Sequence, residues 1–308
     1  MNAAASSGPP DRDARRGFIF GIAAYGLWGV MPIYFKALGA ISSLDIVAHR
    51  VLWSLPFLAL LMFVSRSWDE ARQAIRRRRT LLLLLTTATL IGVNWLLYVY
   101  AVTSGHILAA SLGYYLNPLA NVLLGRFILK ERLSWLQWLA IAIAAAGILA
   151  LAAGALGQLW ISLTLCVSFA TYGLLRKIAT VDAVAGLGVE TALLFPLALG
   201  WLAWRYALGV PILGVTMSDT NLLVAAGVVS TTPLLLFTAA ARRLPYSTLG
   251  MLQFLAPTLQ FGCAVWLYGE PFSRAHATAF GAIWTALALY VLELIRAPRT
   301  CPAPQPPE

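Results

Sequence analysis

Ten runs of apolar residues, each about as long as a bilayer is thick, constrain this chain more than any other feature. They lie at approximately 18–38, 45–65, 80–102, 107–127, 134–153, 158–178, 184–206, 220–241, 246–268 and 275–296. A hydrocarbon core about 30 Å thick needs about 20 apolar residues per helix, so each run is expected to be one transmembrane helix. The expected fold is an all-α polytopic membrane protein. With 60% hydrophobic and 11% charged residues and a mean hydropathy of +0.78, the chain lies far from the roughly 45–50% apolar and about 25% charged of soluble domains. Outside the runs lie a polar tail at 1–17, expected to be disordered, and a proline-rich tail at 297–308.

The net charge of +10 does not point to nucleic acid, because the basic residues punctuate apolar runs instead of forming a patch on a soluble face. They report topology. With the N-terminus inside, 18 of the 22 Lys and Arg residues fall in cytoplasmic segments, as the positive-inside rule requires. The other four, Lys36, Arg50, Arg205 and Arg274, lie within or near the outer ends of spans. Both termini are therefore expected in the cytoplasm.

The chain also repeats itself. A shift of 139 residues sets Pro118 on Pro257, Glu131 on Glu270 and Ser134 on Ser273, and brings Tyr114 to Gln253 and Asn121 to Gln260. A shift of 141 sets His49 on Glu190. Because the halves are displaced by five spans, they are expected to be inverted, with one five-helix unit over 18–153 and another over 158–296. Inverted repeats are a mark of secondary transporters that hold substrate near the midplane between the halves.

The stretches "AAYGLWGVMPIYFK", "AHRVLW", "GVNWLLYVYAV", "ASLGYYLNPLANVLLG" followed by "KERLSWLQWLA", "SFATYGLLRK", "STLGMLQFLAPT" and "YGEP" resemble RarD proteins. These are EamA-type members of the drug/metabolite transporter superfamily, and the resemblance covers nearly the whole chain between the tails. It implies five-plus-five inverted helices in a bacterial inner membrane and export or exchange of a small solute such as an amino acid, metabolite or drug.

Polar residues within the runs are the candidate site. Arg50 sits inside a span, where a charge costs about 2.5–3.5 kcal/mol and faces a cavity or a partner. It either pairs with Asp45 near the outer headgroups or offers its charge to an anionic or zwitterionic substrate. His49 either bonds Asp45 or carries a proton, a role open to an imidazole. Glu190, the acid well inside a span, is the stronger proton-coupling candidate. Tyr114, Asn117 and Asn121 share one helical face at i, i+3 and i+7, and Gln253 and Gln260 share another. Those polar groups either join helices or, with Tyr25, Trp28, Asn94, Trp95 and Tyr172, contact substrate. Pro118 and Pro257 are expected hinges.

No cofactor is expected. Cys166, Cys263 and Cys301 form no CxxC, and no HExxH, GxSxG or GxxxxGK[ST] occurs, so no metal or nucleotide site is legible. The expected partners are the bilayer, a small-molecule substrate and either protons or a counter-exchanged solute. Two other readings compete with transport: a non-transporting receptor or scaffold, and an intramembrane enzyme using His49 and Glu190.

Overall fold

The computed structural model describes residues 10–38, 41–103, 107–152, 159–214, 216–267 and 274–296. Among them the chain is helical and contains no strand. The elements are α1 (Pro10–Ala37), α2 (Ser43–Val64), α3 (Trp68–Arg76), α4 (Arg78–Thr103), α5 (Ile107–Phe127), α6 (Trp135–Ala152), α7 (Leu159–Ile178), α8 (Ala183–Ala207), α9 (Met217–Ala241), α10 (Tyr246–Gln253), α11 (Leu255–Gly262), a π-helical turn (Cys263–Leu267) and α12 (Arg274–Arg296). Among the described residues, seven stretches are long and apolar enough to cross a membrane: most of α1, all of α2, the greater part of α4, then α7, α8, α9, and α10 taken together with α11 and the π turn. The apolar parts of α6 and α12, Trp135–Leu149 and Gly281–Glu293, are shorter. Lipid cannot pair backbone groups, so each crossing segment must satisfy them internally or against its neighbours. Large side chains such as Phe63, Leu197 and Trp266 are exposed, an arrangement suited to hydrocarbon.

Three features depart from the sequence expectations. First, α1 begins at Pro10, inside the segment expected to be a tail. Proline suits a first helical turn, and Asp13 in that turn is held by Arg243 at 3.2 Å. Second, the loop after α2 contains the short helix α3, whose Ala71 and Ala74 are buried in an apolar cluster with Met62, Leu84, Val181 and Val189. Third, the ninth apolar run is not one helix. It breaks at Phe254, between α10 and α11. Pro257 lacks an N–H for the carbonyl of Gln253, and its ring crowds that carbonyl. The chain responds with a tighter turn, in which Phe254 N donates to Met251 O at 3.2 Å. Pro118, by contrast, lies inside an uninterrupted α5. Glu270 and Ser273, the other members of the expected 139-residue match, fall outside the described residues.

The bundle is built from a small set of contacts. Helix α2 packs on α8 and α9, α1 on α9 and α11, α4 on α7 and α8, α5 on α7 and α10, and α6 on α12. Close approach needs small residues where no hydrophobic force holds helices together. At the crossing of α5 and α10, a Cβ added to Gly250 would come within 2.8 Å of the carbonyl oxygen of Pro118. The start of α10 is capped from the other half of the chain: the Glu131 carboxylate accepts bonds from Tyr246 N, from Ser247 N at 2.9 Å and from the Ser247 hydroxyl at 2.6 Å. A carboxylate suits a helix N-terminus because the unpaired N–H groups there carry partial positive charge.

Candidate functional site

Arg50 and Glu190 organise the polar interior. Arg50 is the eighth residue of α2 and Glu190 the eighth residue of α8. At 1.5 Å per residue, each lies roughly 10 Å from the start of its helix. Pro56 and Pro196 occupy the fourteenth place of the same two helices.

The Arg50 guanidinium lies 4.2 Å from the centroid of the Trp95 ring, a cation–π distance, and within electrostatic reach of the phenols of Tyr34, Tyr98 and Tyr114. It borders a cavity between α2, α4, α8 and α9, lined by Arg50, Ser54, Trp95, Thr191, Ser230 and Thr231 with apolar neighbours. The space open to water centres is about 20 Å³, room for about one water molecule and not for an organic solute. The hydroxyls along one wall are joined: Thr231 Oγ1 donates to Ser54 Oγ at 2.6 Å, and Ser54 Oγ lies 3.2 Å from the Gly227 carbonyl.

Asp45 does not pair with Arg50. It accepts from Arg205 at 2.8 Å and from the Trp201 indole at 2.9 Å, because α8 brings both residues to the start of α2. His49 does not reach Asp45 either: its Nε2 lies 2.6 Å from the carbonyl of Ile212, in the segment after α8.

Glu190 is buried where α8 meets α4 and α7. Thr87 of α4 donates to Oε1, the Tyr172 hydroxyl donates to Oε2 at 3.4 Å, and Arg176 stands 3.5 Å from Oε1 as its counter-ion. Arg176 is itself fully buried and reaches the carbonyls of Asp182 and Ala183 at 3.4 and 3.3 Å. Gly186 makes room for it, since a Cβ there would collide with the guanidinium. Although Leu187, Thr191 and Leu194 of α8 line the Arg50 cavity, the Glu190 carboxylate is turned toward α4 and α7. His49 and Glu190 therefore have separate partners.

The other expected site residues are distributed differently. Tyr25, Trp28 and Tyr172 form one aromatic cluster with Phe169 and Phe237, with Tyr25 to Trp28 at 5.7 Å and Tyr172 stacked on Phe237 at 6.4 Å. Asn94 donates to the Leu165 carbonyl and the Ser168 hydroxyl, both at 2.9 Å, tying α4 to α7. Asn121 donates to Gln253 at 2.8 Å, joining α5 to α10. Gln260 donates to the Trp28 carbonyl at 3.0 Å, and the break at Phe254 places it on a different helix from Gln253. Asn117 is fully buried, with neither amide atom bonded among the described residues. Thr87 and Arg176 are the site residues that sequence reading missed. Arg176 stands beside Lys177 at the end of an apolar run, where it reads as a topological charge. Among the described residues, no three His, Cys, Asp or Glu side chains gather as a metal site would require.

Residues 15–153 match the model of the EamA-like transporter family. An "uncharacterized transporter" of Vibrio cholerae is 45% identical over 94% of this chain and 96% of its own. Another from Pseudomonas aeruginosa is 47% identical over 94% and 98%. "Protein RarD" of Escherichia coli is 41% identical over 92% and 96%. A solved crystal structure shares the fold with a TM-score of 0.70 at 20% identity, covering 91% of this chain and 98% of that one.

Proposed function

The chain belongs to the EamA-like transporter family, in the drug/metabolite transporter superfamily, as a relative of RarD, and we propose that it is a ten-span secondary transporter that moves a small organic solute by alternating access. The observation that carries this reading is the cavity at Arg50, a small space edged by a cation and several hydroxyls and bordered by helices of both halves of the chain. The ten spans are α1, α2, α4, α5, α6, α7, α8, α9, the α10–α11 segment and α12, in a bacterial inner membrane with both termini in the cytoplasm.

The inverted arrangement draws support from the packing. The contact of α1 with α9 recurs five spans on as α7 with α4, that of α1 with α11 as α7 with α5, and that of α2 with α9 as α8 with α4. The remaining large contacts, α2 with α8, α5 with α10 and α6 with α12, join equivalent helices, as a two-fold axis in the membrane plane requires. The matched places of Arg50 with Glu190 and of Pro56 with Pro196 fit a shift of 140 in this pair of helices, which sets Arg50, and not His49, against Glu190.

Alternating access needs contacts that close one end at a time. At the arginine-rich end, Asp13 to Arg243, Glu70 to the Asp182 amide at 2.7 Å and Glu131 to Ser247 bridge the halves. At the other end, Asp45 to Arg205, His49 to Ile212 and Tyr34 to the Leu222 carbonyl at 2.6 Å do so. Parting either set opens the cavity to one side, with Pro118 and the break before Pro257 as points where the helices give. Glu190, whose charge is balanced by Arg176, is the candidate for proton coupling, and exchange of a second solute is the alternative energy source. Reconstitution into proteoliposomes tests the reading. Saturable flux of at least one solute from a broad panel of amino acids, metabolites and drugs is expected; absence of flux for the whole panel would overturn it in favour of a receptor or scaffold.

A further inference from the structure

The Arg50 cavity has a chemical bias that narrows the solute. Among the described residues its one charged lining side chain is a cation, and no acidic side chain lines it. The two carboxylates that could have neutralised Arg50 are committed elsewhere, Asp45 to Arg205 and Trp201, and Glu190 to Arg176, Thr87 and Tyr172. Unspent donors remain at the cavity: Arg50 Nε and the Ser230 hydroxyl are buried and make no hydrogen bond among the described residues. A charge inside a span ordinarily faces a partner or a pathway, and here the described residues supply an aromatic face but no anion.

We propose that Arg50 receives the carboxylate group of the transported solute, a monoanionic or zwitterionic organic acid, while Trp95 fixes the plane of the guanidinium. A guanidinium offers two parallel N–H donors that match the two oxygens of a carboxylate. The Trp95 ring covers one face of the guanidinium, and Nε on its edge makes no hydrogen bond among the described residues. A phosphate dianion would call for more positive charge than one arginine, and a bare cation would be repelled. The hydroxyls of Ser54, Thr191, Ser230 and Thr231 serve polar substituents of the same solute. This assignment rests on the transporter reading, and the cavity must widen as the halves part.

The test uses the purified full chain and matched pairs that differ only at the carboxyl group: benzoate with benzamide, L-leucine with L-leucinamide, and L-phenylalanine with L-phenylalaninamide. Binding is read as a concentration-dependent rise in melting temperature, since a ligand of the native state stabilises it, and flux is read in proteoliposomes. The carboxylate member of at least one pair is expected to bind and move while its amide does not. Arg50→Gln is expected to weaken carboxylate binding at least about tenfold, the loss of a charge-assisted hydrogen-bond pair, and Arg50→Lys to be intermediate because it keeps the charge and loses the fork. Equal binding of amide and carboxylate in the unaltered protein, an unchanged carboxylate preference in Arg50→Gln, or no binding by any of the carboxylates would overturn the assignment. Flux of other solutes in that event leaves the transporter standing without its carboxylate site, whereas no flux of any solute removes both.

Discussion

Arg50 and Glu190 sit at the same step of two helices and have opposite surroundings. Glu190 is sealed: a counter-ion, a threonine and a tyrosine converge on it from α4 and α7. Arg50 borders a cavity and lies over an indole, with its neighbouring acid taken by Arg205. The difference separates two uses of a charge in hydrocarbon. A charge neutralised on every side contributes to holding helices together, and releasing it requires a proton or a rearrangement. A charge left with spare donors beside a cavity is available for recognition.

Stripping Glu190 of its counter-ion tests the contrast most severely. Arg176→Met is expected to cost about 3–5 kcal/mol, because it leaves a buried carboxylate unbalanced. The double change Arg176→Met with Glu190→Gln should recover most of it, both read by thermal unfolding in detergent. A single variant as stable as the parent would show that Glu190 is not sealed. Thr87→Val, which removes one donor to the same carboxylate, should cost about 1.5–3 kcal/mol by the same measurement. Gly186→Ala, which pushes a methyl group against the Arg176 guanidinium, should cost about 1–3 kcal/mol. On the open side the effects on stability shrink. Trp95→Leu should cost about 0.5–2 kcal/mol through loss of the cation–π contact and of the indole's packing, and should also weaken solute binding. Arg50→Gln loses the same contact but also relieves the cost of a charge held inside a span, so unfolding should change by less than about 1 kcal/mol, while carboxylate flux at low solute concentration falls at least about tenfold. A large loss of stability in Arg50→Gln would place Arg50 with Glu190 as a structural charge.

Much of the helical layout was legible because apolar length is a local property. The runs at 18–38, 45–65 and 184–206 fall on α1, α2 and α8, since in lipid a run of that length has little choice but to be a helix. Helix α3 was not legible: its residues "WDEARQAIR" read as a loop, and only burial of Ala71 and Ala74 against the bundle gives it a face. The interruption at Phe254 was half legible. Pro257 signals a weak point, but Pro118 carries the same signal and leaves α5 continuous, so the surroundings and not proline alone decide where a helix parts.

The candidate site shows the same division. Arg50 and Glu190 stand out in the sequence because charge within an apolar run is expensive wherever it faces. Whether Asp45 serves Arg50 stayed open at that level, and Arg176 passed for one of the basic residues of the loops. Those choices turn on which helix lies beside which. Asp45 and Arg205, or Arg176 and Glu190, become neighbours only when α2, α7 and α8 are packed together. By itself the sequence determined that this chain is a multi-pass helical membrane protein with costly charges in its spans, because hydropathy and run length act residue by residue. The tertiary structure alone decided which charge is neutralised and which stays available, because pairing depends on distances of a few ångströms between helices remote in sequence.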